Sequence, residues 1–127
     1  IRLLWWYHFK SIFPHQGCFV HRRVFDHIGQ FREDFEIAVD YDFFYKALAS
    51  GATVKLGTFS VAIMGGQGIS SDPAMLEKRL REEALVQRMN ETRPFWRIAQ
   101  KLFHFLYFPY KTRLFPIMNR NRTINSS

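Results

Sequence analysis

The spacing of apolar positions changes several times along the chain, and each change predicts an element. Residues 1–13 are apolar and aromatic, interrupted by Arg2, His8 and Lys10. So short a run fits a helix or a strand equally well. Pro14 ends it, because proline holds the residue before it in extended geometry. Cys18-Phe19-Val20-His21 reads as a short strand. Val24, Phe25 and Ile28 then fall on one helical face, and Gly29 stands where a helix end needs positive φ.

Phe31 and Phe35 bracket an acidic loop, Arg32-Glu33-Asp34. A second helix is predicted from Asp40 to Ser50. Phe43, Phe44, Ala47 and Leu48 form its apolar face, and Gly51 follows its end. Residues 53–63 are β-like, with a turn or bulge at Gly57. After the Gly65–Ser71 loop, Asp72-Pro73 opens a helix that runs to about Asn90, with Leu76, Leu80 and Ala84 as its buried stripe. A last helix is predicted over Phe95–Phe108, ended by Pro109. Its longest uncharged run, Leu102–Tyr110, is far short of the roughly 20 apolar residues a membrane span needs.

Charge divides the chain more sharply than hydropathy does. It carries 18 Lys and Arg against 11 Asp and Glu. All 11 acids lie in residues 1–91, beside 11 of the cations, so residues 92–127 hold seven cations and no acid. An anionic partner is thereby localised to the tail. Two units are expected: residues 1–91, and a basic aromatic tail, 92–127. The 47% apolar content excludes a disordered chain. Cys18 is the only cysteine, so no internal disulfide or cysteine-rich metal cage is possible, and a small buried hydrophobe is its ordinary role. The order of residues at the start is not that of a signal peptide, and the chain reads as a segment of a longer protein.

Three places carry candidate chemistry. His15-Gln16, ahead of Cys18, faces either a substrate hydroxyl or solvent. His15, His21 and His27 recur every sixth residue, a spacing that does not put ligands on one helix face, so no metal site is expected in this chain. Asp40, behind Ile37-Ala38-Val39, stands at the mouth of an apolar helix. A general base needs a carboxylate held rigidly near an apolar wall, and a helix cap needs the same residue type in the same place. Gly65-Gly66-Gln67-Gly68-Ile69-Ser70 could bring backbone N–H groups to sugar or phosphate oxygens, although it lacks the Gly-Lys-Ser ending of a P-loop.

Taken in order, these pieces become more specific. Pro14-His15-Gln16, Phe19-x-x-Arg22-Arg23-x-Phe25, Gly29-x-Phe31, Ile37-Ala38-x-Asp40-Tyr41-Asp42-Phe43-Phe44, Gly51 and Gly65-Gly66-x-Gly68-Ile69-Ser70 follow one another along residues 12–90. The series resembles the second half of family 2 glycosyltransferases, notably the bacterial group that builds surface polysaccharides. The resemblance implies an α/β fold: the C-terminal, acceptor-side part of a Rossmann-like GT-A domain, mostly helices with a few short strands, plus a C-terminal amphipathic helix. It implies an inverting transferase with Asp40 as catalytic base, and acceptor contacts from His15, Gln16, Asp42, Lys46, Gly65, Gly66 and Ser70. It further implies a nucleotide-sugar donor, a glycan or lipid-linked acceptor, and Mg²⁺ or Mn²⁺ held mostly outside this chain; the nucleotide-sugar half is expected to lie outside it too, and without that half the fragment is expected to be inactive. Two positions depart from the family pattern. Val39 stands where an acid often precedes the base, and Lys46 stands where an Arg is usual, which removes a planar bidentate contact.

The tail interleaves Phe, Trp and Tyr with Arg and Lys. It fits an interfacial helix on anionic lipid, nucleic-acid stacking, or a packed helix with a solvated basic end, with the first favoured and nucleic acid the least favoured. Arg93, Trp96, Arg97, Lys101, Lys111 and Arg113 are the expected surface contacts. The location this predicts is cytoplasmic, peripheral at the inner membrane face. The rival to the enzyme reading is a non-catalytic binding or membrane-docking module.

Overall fold

The computed structural model describes residues 4–13, 15–60 and 73–114. Four α-helices carry the fold: α1 (Arg22–Ile28), α2 (Val39–Ala49), α3 (Leu76–Asn90) and α4 (Pro94–Pro109). A 3₁₀ turn, Leu4–His8, precedes them, and a shorter one, His15–Gly17, leads toward α1.

The α/β expectation is corrected here: among the described residues there is no strand and no sheet. Cys18–Val20 is irregular, and residues 53–60 are irregular and mostly exposed. Both segments have strand composition, but a strand satisfies its N–H and C=O groups only on a neighbour, and neither finds one here. The remainder of the β-like run, residues 61–63, lies outside the described residues, as do Gly65, Gly66 and Ser70.

Helix ends follow local chemistry closely. His21 Nδ1 accepts from the Arg23 N–H at 3.2 Å and caps α1. Gly29 and Gly51 follow α1 and α2 with φ of 85° and 93°, the left-handed region that glycine enters without steric cost. Pro109 does not end the chain's helical course. It closes α4, and Tyr110–Leu114 continues as one π-helical turn, in which the Thr112 hydroxyl donates to the Phe108 carbonyl at 2.7 Å.

Helix α2 is the centre of the molecule. Ala38, Tyr41 and Tyr45 pack with Phe35 and with Val86 of α3. On another side Phe43 meets Phe25 of α1 and Phe31, with ring centroids 4.8 and 4.4 Å apart. Two packed sides explain why Tyr41, Asp42, Phe43, Tyr45 and Ala47 are all buried. The inward stripe of α3 is Leu80, Glu83, Val86 and Gln87, while Leu76 and Ala84 are only half-buried. Helix α4 lies against α3 and the Leu4–His8 turn, with Phe103 against Phe9 and Trp6.

Glu83 is buried on that stripe, 4.0 Å from Arg79. Burial pushes its carboxyl up to about 7, against the pull of Arg79 and Lys10. An acid raised in the folded state binds its proton there while the unfolded chain has already lost it. Glu83 therefore subtracts stability as pH rises from about 4.5 toward 7. Glu83→Gln should gain on the order of 2 kcal/mol over wild type at pH 8, and nothing at pH 4, in urea titrations. The comparison must be with wild type at each pH, since the buried His8 and the half-buried His104, both lowered by burial, act in the opposite direction.

Candidate functional site

The segment ahead of α2 is fastened from outside the helix. Ala38 occupies the cap position and offers no side-chain acceptor. The Glu82 carboxylate, reaching over from α3, accepts instead from the N–H groups of Glu36, Ile37 and Ala38 at 3.2, 2.7 and 2.8 Å. Burial by itself disfavours the charged form of Glu82, but the three N–H groups and Lys78 outweigh it and hold the carboxyl below its usual range. Lys78 also pairs with Glu36, which ties the same segment to α3 a second time. Glu82 thus fastens residues 36–38, the segment that leads into α2.

Asp40 lies in the first turn of α2, half-buried. Phe43 and Phe44 follow it by three and four residues and so stand one turn along the same side. Phe44 is braced by Phe13, with ring centroids 5.3 Å apart. Cys18 lies near enough to Asp40 to feel its charge. Burial pushes its thiol up, and the Asp40 charge adds to the effect. The short His15–Gly17 turn therefore leads directly into the neighbourhood of Asp40, with Gln16 exposed on it. The His15 side chain lies outside the described residues.

Asp42 and Lys46 are placed differently. Asp42 is buried, its Oδ2 paired with Lys46 Nζ at 2.5 Å and its Oδ1 accepting from Asn90 Nδ2 at 2.7 Å. The pair joins α2 to the end of α3. Lys46 also borders an open depression of about 400 Å³ with His27, Ile28, Ala49, Ser50 and Asn90. That depression is at the far end of α2 from Asp40. Both Asp42 oxygens and the Glu82 carboxylate are engaged, and among the described residues no cluster of three His, Cys, Asp or Glu could hold a metal ion.

A second polar cluster was not legible in the sequence. Glu91, just past α3, is buried and accepts from Tyr45 Oη at 2.6 Å and His8 Nδ1 at 3.1 Å. Its other side takes the Arg93 guanidinium at 2.9 Å and the Arg93 backbone N–H at 3.1 Å. Gln100 of α4 donates to Tyr45 Oη and to the His8 carbonyl. Trp96 stacks on the His8 ring, with centroids 3.8 Å apart and planes within 10°.

Burial works against the Glu91 charge, but these donors overcome it and bring the carboxyl down to about 2. Burial lowers His8, so at neutral pH it donates an uncharged Nδ1–H. A parallel chain runs beside it. Gln87 donates to Tyr41 Oη and the Phe9 carbonyl, Tyr41 donates to the Tyr7 carbonyl, and His104 Nε2 donates to Gln87 Oε1. Every proton in the two chains has a fixed direction, which suits a structural latch.

Of the tail residues, Arg93 and Trp96 belong to this latch, with part of Arg93 still exposed. Arg97, Lys101 and Arg113 are exposed on the surface, and Lys111 is half-buried. No family model, curated protein or solved structure matches the chain.

Proposed function

We propose that these residues form the acceptor-side part of an inverting glycosyltransferase of the family 2 type, with Asp40 as general base. The observation that carries the reading is the setting of Asp40 at the start of α2: Glu82 fastens the backbone just ahead of the helix, and Asp40 sits half-buried in the first turn with Phe43 and Phe44 alongside. A carboxylate held by a rigid helix beside apolar rings meets the positional demand on a base.

The step balances without any further reactant. The acceptor hydroxyl gives its proton to Asp40 as its oxygen bonds to the anomeric carbon. The bond from that carbon to the phosphate oxygen breaks, and the nucleoside diphosphate leaves with the electron pair. Attack opposite the leaving group inverts the anomeric centre. On this reading the donor and its Mg²⁺ or Mn²⁺ are held by residues other than those described, and the exposed Gln16 turn borders the acceptor. The acceptor is a hydroxyl of a glycan or lipid-linked saccharide.

The test is stereochemical. The full-length parent protein, given a nucleotide-sugar and a hydroxyl acceptor, should release nucleoside diphosphate and form a glycoside of the opposite anomeric configuration, read by proton NMR. A product of retained configuration would eliminate a single displacement with Asp40 as its base.

A further inference from the structure

We propose that α4 seats the protein on an anionic lipid surface through its outward face, a binding property that stands apart from the transferase reading. The inward face of α4 is fully accounted for: Trp96 covers His8, Gln100 and His104 enter the buried hydrogen-bond chains, and Phe103 meets Phe9. The opposite face carries Phe95, Ile98, Leu102, Phe105 and Leu106, between 59% and 77% exposed. Their spacing of three, four, three and one places them in a stripe about 100° wide and three turns long. A solvated helix face has no use for five large apolar side chains in one row.

Charge identifies the occupant. Arg97 and Lys101, exposed and one turn apart, run along one border of the stripe, and the exposed part of Arg93 lies at its N-terminal end. Residues 92–127 contain no acid at all. An apolar stripe flanked by cations is the pattern of a helix lying in the headgroup region, its apolar side in the acyl boundary and its cations among lipid phosphates. A second copy of α4 would bring Arg97 and Lys101 against their own equivalents with no acid from 92–127 between them. Single-stranded RNA stacks its bases on aromatic faces beside cations, whereas three of the five stripe residues, Ile98, Leu102 and Leu106, are aliphatic. No helix among the described residues is long and apolar enough to cross a membrane, so the geometry is that of a helix lying on the surface.

Co-sedimentation with lipid vesicles tests the proposal on the full chain. The protein should partition to phosphatidylcholine vesicles containing about a third phosphatidylglycerol, bind pure phosphatidylcholine far less, and come off the anionic vesicles in about 0.5 M salt. Arg97→Gln with Lys101→Gln should weaken anionic binding roughly thirty-fold, the product of two surface cations. Leu102→Ser with Phe105→Ser should weaken it at low salt as well, with helical circular dichroism unchanged because both side chains are exposed. Four results would each overturn it: no sedimentation with either vesicle, equal binding to both, dimerisation through α4 in ultracentrifugation without vesicle binding, or RNA capture in place of vesicle capture.

Discussion

Glu91→Ala should cost about 3–5 kcal/mol of folding stability, the largest loss expected from a single truncation outside the apolar core. The residue is 4% exposed and collects donors from three separate parts of the chain: His8 before α1, Tyr45 in α2 and Arg93 at the start of α4. Removing the carboxylate leaves the Tyr45 hydroxyl and the His8 Nδ1–H buried without their acceptor, and a missing acceptor is more costly than the net worth of the bond it made. A fall in melting temperature on the order of 10 °C should accompany the change. Glu91→Gln keeps the shape and one acceptor oxygen for Tyr45 and His8, and loses the charge and the second acceptor, the one that faces the half-exposed Arg93. It should cost about half as much.

The pH dependence has a fixed sign. The Glu91 carboxyl lies near 2 in the folded protein and near 4.5 when unfolded. A depressed acid contributes stability that is complete above the unfolded value and is lost as pH falls toward the folded one. The contribution, about 3 kcal/mol, should disappear between pH 4.5 and 2 in wild type and be absent throughout in Glu91→Ala. Chemical denaturation across that window, wild type against variant, reads it directly. A constant difference between the two proteins down to pH 2 would remove Glu91 as the charged member of the latch.

What could be read from the sequence and what could not follows from the range of the interactions. The bounds of α1 and α2 were legible because Gly29 and Gly51 act on their own neighbours, and the apolar residues between them repeat at helical spacing. The strands expected at 18–21 and over the described residues 53–60 are absent because strand-like composition describes a residue's fitness for a sheet, not the presence of a neighbour to pair with. The buried stripe of α3 was legible at Leu80 and missed at Glu83, Val86 and Gln87 for a related reason. Glu83 and Gln87 look like solvent residues in a line of charges, and only the docking of α4 and the Leu4–His8 turn makes them interior.

The latch itself was invisible at the level of spacing. His8 and Glu91 are separated by most of the chain, and neither sits in a motif. Trp96 was read as an interfacial anchor because a Trp among cations usually is one, yet its ring is spent on His8. The outward stripe of α4 emerges only once that inward side is known. At Asp40 the sequence left two readings open, cap or base. The fold adds Glu82, a residue that no local pattern connects to the segment ahead of α2.

Asp40→Asn is the second change of large expected effect, on activity rather than stability. The substitution preserves size and hydrogen-bonding shape and removes the basicity. General base catalysis contributes about 10² to 10⁴-fold. The helix should remain in place, because Glu82 holds the N–H groups of residues 36–38 just ahead of it and Tyr41, Phe43 and Tyr45 are buried along its sides. Glu82→Gln supplies the contrast: it weakens the anchor, lowers stability, and acts on turnover only through position.

The most direct measurement sets transfer rate beside donor affinity in the full-length parent protein, wild type against Asp40→Asn. The account predicts a fall in kcat of about 10² to 10⁴-fold, with nucleotide-sugar affinity and melting temperature near wild type. Turnover within a few-fold of wild type in a folded, donor-binding Asp40→Asn variant would contradict it.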